Sequence, residues 1–341
     1  MKGFGSDNHS GVHPEILKTM IAANTAHEPS YGTDSYSQLA TAEFKKHFGS
    51  TVDIHFVYNG TAANVLCLRA AIKNYESFLC SDVSHLNIDE CGAPEFFSGK
   101  LITVPSKNGK IIFSELENFL IRKGDQHYSQ PRLISLTQPT ELGTCYTLSE
   151  IKAICELAKK HNMYVHIDGA RFTNAVHSLN TTFKDMTSNL GIDLVSFGGT
   201  KNGLAFGEAV LIFNKDLQKD FKYIRKQSAQ LPSKTRFIAS QFLGYFENNL
   251  CFKIAEHSLK MAQLLKIELQ KFPAITITEN TESNAVFAKI PQQYISALRE
   301  KYFFYVWNEK TFECRLMTSW DTTEEDIQGL SALISAKITE A

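Results

Sequence analysis

Apolar residues fall along the chain in short runs, separated by glycine-marked turns and by stretches whose apolar positions recur every three to four residues. The runs at 163–167 and 192–197 lack strict alternation, the pattern of strands covered on both faces of a parallel α/β sheet. Runs at 53–58, 78–80, 101–104, 132–136 and 209–213 read the same way. Between them the 3.6-residue period predicts helices over 14–23, 37–47, 60–72, 114–123, 148–160, 218–226 and 232–247, with Pro14 and Pro232 in first turns and Gly49 as a stop. From residue 251 the character changes. A long amphipathic helix to about 271, strands at 275–278 and 285–289, a helix over 292–301, a strand or hairpin through 314–317 and a last helix make a small α+β unit. Thr322 and Glu325 read as the capping box of that last helix. We expect a large α/β domain over residues 1–250, its first 27 residues packing near the active site, and a small C-terminal α+β domain over 251–341.

Length and composition agree with this picture. A chain of 341 residues exceeds the usual single core. At 43% hydrophobic and 21% charged it reads as soluble and globular. A formal charge of -1 with no long basic block argues against nucleic acid or an anionic membrane as main partner. No apolar run approaches the ~20 residues that span a bilayer, and the polar start MKGFGSDNHSG has no signal-peptide core. Seven scattered cysteines without a C-x-x-C pair favour reduced thiols in the cytoplasm over disulfides or a metal site, so no metal is expected.

The candidate chemistry lies at the ends of the runs. The run at 163–167 ends in Asp168 before Gly169, and the run at 192–197 leads through Gly198 and Gly199 to Lys201. Open α/β sheets bind ligands outside the carboxyl ends of their strands, where both charges fall. A lysine so placed can lose its proton and form a Schiff base, and an aspartate at the neighbouring tip can keep a pyridinium nitrogen protonated. Taken singly, Asp168 is as readily a helix cap and Lys201 a solvated turn residue; together, with Arg171 three positions after the aspartate, they point to pyridoxal phosphate. The strand at 53–58 followed by Asn59-Gly60-Thr61 leaves helix-start amides free for a phosphate. His85 lies just past the run at 78–80, placed to stack on a pyridine face or to serve as an ordinary loop residue. The cationic stretch from Arg225 to Lys234 is either a solvated face or a reach toward a phosphate in a partner subunit.

The segments SDNHSGVHPEI, YGTDSYSQ, NGTAANV, SHLNIDECGAPE, TQPTELGT, HIDGARFTNA, SFGGTKNG and RLMTSWDTTEEDI resemble, in order and spacing, the L-threonine aldolases. These belong to the aromatic amino acid beta-eliminating lyase and threonine aldolase family of fold type I enzymes that use pyridoxal 5'-phosphate. The resemblance implies a mainly parallel seven-stranded sheet with helices on both faces. It also implies retro-aldol cleavage of L-threonine, L-allo-threonine and related β-hydroxy-α-amino acids to glycine and an aldehyde, acetaldehyde from threonine. By position, Lys201 resembles the Schiff-base lysine, Asp168 the partner of the ring nitrogen, Gly60 and Thr61 the phosphate site, and His85 the stacking imidazole. Ser6, Arg171 and Arg315 resemble the groups that hold the substrate carboxylate, Arg171 also lying against the cofactor, and His127 resembles a second histidine near the substrate hydroxyl, so that His85 or His127, directly or through water, is expected as the base that takes the β-hydroxyl proton. A homo-oligomer, dimer or dimer of dimers, with shared active sites is implied as well. Two departures stand out: Gly-Gly-Thr-Lys-Asn-Gly around the lysine, and TQPTELGT where many members carry asparagine-histidine-asparagine.

Other readings remain at this stage. A β-eliminating lyase or aminotransferase on the same fold would release ammonia or a keto acid. A silent cofactor-binding regulator would lack the substrate arginines, and a nucleotide-binding protein would need a G-x-G-x-x-G turn that this chain does not have.

Overall fold

The computed structural model describes residues 3–339. Seven strands form the main sheet: β1 (Asp53–Val57), β2 (Glu76–Ser81), β3 (Lys100–Val104), β4 (Gln130–Thr137), β5 (Tyr164–Gly169), β6 (Leu194–Phe197) and β7 (Glu208–Ile212). Their spatial order is β1-β7-β6-β5-β4-β2-β3. All pairings from β6 through β3 are parallel, and β7 runs antiparallel to both of its neighbours.

The absence of strict alternation in the runs is explained by what covers the two faces. Val195, Phe197, Ala209 and Leu211 enter one core, with α1 (Pro14–Ala23), α2 (Ser35–Phe48) and α4 (Leu148–Lys160). Leu194, Val210 and Ile212, the positions between, enter another with α3 (Gly60–Ala71) and α6 (Lys215–Gln227). Successive strand side chains point to opposite faces, so a strand buried on both is apolar at most positions, and its few polar side chains, such as Ser135, His166 and Ser196, are buried with it. The short helix α5 (Phe172–Ser178) follows β5, and α7 (Arg236–Phe246) completes the first core. Phe44 of α2 meets Phe197, Phe242 and Phe246 edge-on, with ring centroids 4.9 to 5.4 Å apart.

One helix serves both ends of the molecule. In α8 (Leu250–Gln270), Leu250, Cys251 and Ile254 pack into the first core, whereas Met261, Leu265 and Leu269 join a separate one with Val286, Leu316 and Leu330. This smaller core carries the antiparallel sheet β8 (Thr276–Ile277), β9 (Ala285–Lys289), β10 (Tyr305–Asn308) and β11 (Glu313–Met317), in the order β8-β9-β11-β10, with α9 (Gln292–Lys301) and α10 (Glu324–Thr339). The N-terminal segment docks here too: Phe4 donates its amide to Phe303 O (2.6 Å) and accepts from the Met317 amide (2.8 Å).

Several local expectations are corrected. The stretch at 113–120 is a 3-10 helix, and β10 went unread because its exposed Tyr305 and Asn308 dilute a four-residue pattern. The final helix is capped one residue later than expected. Thr322 Oγ1 accepts the Ser319 amide (2.9 Å), so Thr323 takes over, exchanging bonds with Asp326 (2.9 and 3.2 Å). Among the described residues no helix is long and apolar enough to cross a membrane.

Candidate active site

Register brings the chemistry to one edge. Thr137 of β4 pairs with Asp168 of β5, which pairs with Ser196 of β6. Lys201 follows in a 3-10 turn, Thr200–Asn202. That turn packs directly on the 168–170 turn at Gly198 and against Gly207 at Gly199. A Cβ at Gly198 would collide with the Ala170 carbonyl, and one at Gly199 with that of Gly207. Asn202 then bridges the turns, donating to Ala170 O (3.0 Å) and Gly198 O (2.9 Å). Glu208, buried at the start of β7, accepts the Gly199 amide. Burial lifts the Glu208 carboxyl to about 7 against the pull of these bonds and of the Lys201 charge.

A cavity of about 310 Å³ opens over these tips, walled by Gly60, Thr61, His85, Asp168, Ser196 and Lys201. The first amides of a helix have no partner within it. At α3, Asn59 takes the Ala62 amide (2.9 Å), which leaves those of Gly60 and Thr61 for the cavity, and nothing crowds Gly60 where a Cβ would stand. Behind the cavity runs a chain of buried polar groups. The Asn64 amide donates to Asp168 Oδ2 and to Glu90 Oε1, both at 2.9 Å, and Glu90 Oε1 lies 2.8 Å from His85 Nδ1. The Glu90 side chain is wholly buried, and its bond to the imidazole, outweighing burial, raises the His85 pKa. Beneath Asp168, His166 sits between Ser135 and Ser196 hydroxyls (2.9 Å each); burial depresses it to about 4, so it is neutral.

This arrangement fits pyridoxal phosphate. There is an amine for its aldehyde, a carboxylate in register beside it for the ring nitrogen, an unobstructed helix N-terminus for its phosphate and an imidazole for its face.

A second cavity, of about 420 Å³, shares Lys201, His85 and Asn8 with the first and adds Ser6, Glu141, Arg171 and Arg315. The two guanidiniums differ. Arg171 grips Asp7 through Nε (2.6 Å) and Nη2 (2.9 Å), and Asn284 Nδ2 adds a bond at 3.1 Å. Burial would raise the Asp7 carboxyl, but Arg171 outweighs it and holds it below the usual carboxylate range. Arg315 is freer. Nη2 reaches Gly5 O at 3.3 Å, the guanidinium lies 4.9 Å from the Trp307 ring centroid, and its buried Nε has no partner among the described residues. Burial first, and then Arg171, lower its pKa. An orphaned buried donor with a free planar edge is what a carboxylate would satisfy.

Eight of the nine residues singled out from the sequence thus line these two cavities: Ser6, Gly60, Thr61, His85, Asp168, Arg171, Lys201 and Arg315. His127 does not. It precedes β4, at the opposite ends of the strands, in a separate groove with Arg122 and Tyr128, where its amide donates to Asp125 Oδ1 (2.9 Å). A histidine before a strand lies at the far end from a site built after the strands of the same chain. The position after β4 that does face the site is Glu141. Asp7, Asn64, Glu90 and Glu208 also went unread. Asn64 was traceable from its spacing, one helical turn after Gly60 on the same face of α3.

A family model described as beta-eliminating lyase matches residues 3–292. The chain belongs to the beta-eliminating lyase family. Within that family it is similar to proteins named low specificity L-threonine aldolase. One from a Pseudomonas species is 40% identical across 98% of this chain and 97% of its own. Another, from Pseudomonas aeruginosa, is 39% identical across 96% and 95%. Among solved structures, a Leishmania major threonine aldolase superposes with a TM-score of 0.94 at 29% identity, covering 99% of this chain and all of that one. The mainly parallel seven-stranded sheet of this beta-eliminating lyase family member is the fold type I architecture expected from its sequence.

Proposed function

We propose that the protein is a pyridoxal-phosphate-dependent L-threonine aldolase that cleaves L-threonine, L-allo-threonine and related β-hydroxy-α-amino acids to glycine and an aldehyde. The observation that carries this reading is the meeting of two cavities at Lys201 and His85. One is furnished for a phosphorylated pyridine, the other for an amino acid carboxylate. The names of the near-full-length relatives support it.

When bound, the cofactor supplies an electron sink for the pair released by carbon–carbon cleavage. The rest falls to the chain. Lys201 offers the amine that holds the cofactor aldehyde and yields to the substrate amine. Asp168, fixed by Asn64, keeps a proton on the ring nitrogen. His85, tied to Glu90, covers the ring face. Arg315 fixes the substrate carboxylate with its free edge while Arg171, already occupied by Asp7, lends field rather than a fork; a fixed carboxylate sets which bond at Cα stands perpendicular to the ring.

A homo-oligomer is supported by Tyr58 and Phe206, which are exposed apolar residues on the rim of the first cavity. A cytoplasmic location is supported by seven unpaired cysteines. In the cationic stretch, Arg225 reaches Phe56 O at 3.5 Å with its buried Nε left without a partner among the described residues, and Lys226 lies over the Tyr31 ring.

The test is the visible spectrum of the purified protein, followed by assay of aldehyde and glycine from L-threonine, L-allo-threonine and their D forms. The Lys201→Ala variant should lose both the lysine-bound band and turnover. Release of ammonia or keto acid in place of glycine would overturn the reading in favour of a β-eliminating lyase or aminotransferase.

A further inference from the structure

We propose that Glu141 is the catalytic base of the cleavage, its carboxylate taking the proton of the substrate β-hydroxyl as the Cα–Cβ bond breaks. The inference rests on the aldolase reading and names the group that the sequence had sought in a histidine.

The turn after β4 is built so that Glu141 alone opens into the substrate cavity. Thr140 donates its amide to Thr144 O (2.8 Å) and accepts from the Gly143 amide (2.9 Å). The two threonine hydroxyls lie 2.7 Å apart, and Thr144 Oγ1 reaches on to Asn108 O at 2.6 Å. Leu142 packs against the small cluster of Ala285, Phe287 and Met317, and Gly143 abuts Ala285. With both neighbours pinned, Glu141 faces His85, Arg171, Lys201 and Arg315 across the cavity. Its carboxylate has no hydrogen bond or ion pair with another described residue, although its charge is felt at His85, Arg171 and Arg315. A half-buried carboxylate left unpaired among cations is a group waiting for a partner.

The other groups on the cavity wall are less suited to the proton. Lys201 is engaged with the cofactor. His85 has Nδ1 committed to Glu90, which favours the imidazolium, a form with no lone pair to offer. Asp89 is exposed at the end of its helix, and Tyr305 and His9 stand toward Phe303. Glu141 is the carboxylate beside the guanidinium edge that would hold the substrate carboxylate, and the β-carbon is two bonds from that carboxylate carbon. The step balances within the established groups. The O–H proton passes to Glu141, the C–O bond becomes the aldehyde carbonyl, and the electron pair of the broken bond passes to the cofactor. The product glycine regains a proton at Cα, so Glu141 ends as it began once its own proton is returned through solvent.

The test separates hydroxyl chemistry from everything else in the site. Glycine has no β-hydroxyl, yet its binding and its α-proton exchange in heavy water use the same amine, ring and carboxylate fork. Glu141→Gln should lower kcat for L-threonine cleavage by about a hundredfold or more. The glycine Kd by calorimetry should be no weaker than that of wild type, and the exchange should be retained. Glu141→Asp should show intermediate cleavage with the same exchange. Wild-type cleavage in Glu141→Gln would overturn the proposal, as would parallel loss of glycine binding and exchange, which would make Glu141 a shaper of the carboxylate pocket. A wild-type protein that exchanges glycine but cleaves no β-hydroxy amino acid would instead refute the aldolase reading.

Discussion

Asp7→Asn is the substitution through which the geometry makes its most demanding claim about the N-terminal segment. Asp7 is 1% exposed and takes two bonds from the Arg171 guanidinium, 2.6 and 2.9 Å, and one from Asn284 at 3.1 Å. An asparagine amide keeps one acceptor oxygen but turns its NH2 toward another donor, and it removes the charge facing a guanidinium that is itself largely buried. Breaking one partner of a buried ion pair costs about 3–5 kcal/mol, because an uncompensated charge is left behind. Arg171 keeps a contact to Met317 Sδ at 3.0 Å and some solvent access, so the lower end, about 3 kcal/mol, is expected. Urea denaturation of the cofactor-loaded protein, followed by tryptophan fluorescence, measures the loss. The double variant Asp7→Asn with Arg171→Met should recover most of it, since replacing both partners removes the orphaned charge. The sign with pH is fixed as well. A carboxyl held below its ordinary range contributes stability above that range and loses it as pH falls through the folded value, so the gap between wild type and Asp7→Asn should close in acid. A gap under 0.5 kcal/mol at neutral pH, or a double variant no better than the single, would refute this account of the buried pair.

Three other outcomes follow from the same geometry. Glu90→Gln removes the charged acceptor of His85 Nδ1 and should lower the pKa of that imidazole, read by NMR titration of labelled histidine; an unmoved titration would mean the bond does not set it. Arg315→Lys replaces a planar fork by a point charge, so the substrate KM should rise at least tenfold with the cofactor band unchanged, and unchanged kinetics would place the carboxylate elsewhere. His166 is depressed to about 4 by burial, against an ordinary value near 6.5. Its neutral form therefore contributes roughly 3 kcal/mol above pH 6.5 that is lost as pH falls toward 4. His166→Gln should flatten that part of the stability curve, and an unchanged slope between pH 6.5 and 4 would contradict the assignment.

Which parts of this were readable in the chain follows from how each part is specified. The strands around Asp168 and Lys201 are buried on both faces, so most of their positions are apolar and the run stands out despite the buried His166 and Ser196; the glycines beside the two tips are likewise visible as letters. Groups whose role depends on tertiary placement were not visible. Glu90 looks like any acid five residues after a histidine until Asn64, from another strand–helix unit, bridges it to Asp168. Asp7 gains its meaning from Arg171 and Asn284, 164 and 277 positions away. His127 misled for a related reason. Residue type and order along the chain suggested a second imidazole, but which end of a strand a residue flanks decides whether it meets the site, and His127 flanks the wrong one.

The division of labour between the two arginines follows from electrostatics. Two bare guanidiniums in one cavity repel, and Arg171 contributes to the lowering of Arg315. Pairing Arg171 with a buried carboxylate cancels one charge and leaves Arg315 as the single free cationic edge, suited to one carboxylate rather than to a dianion. The cancelling group comes from the N-terminal segment, whose neighbours Phe4 and Gly5 bond to the small core and to Arg315 itself. Docking that segment therefore neutralises one arginine and orients the other in a single event. A truncation that removed Asp7 should therefore impair substrate binding more than cofactor binding, because Ser6, Asn8 and His9 all line the substrate cavity whereas Asn8 alone of that segment lines the cofactor cavity.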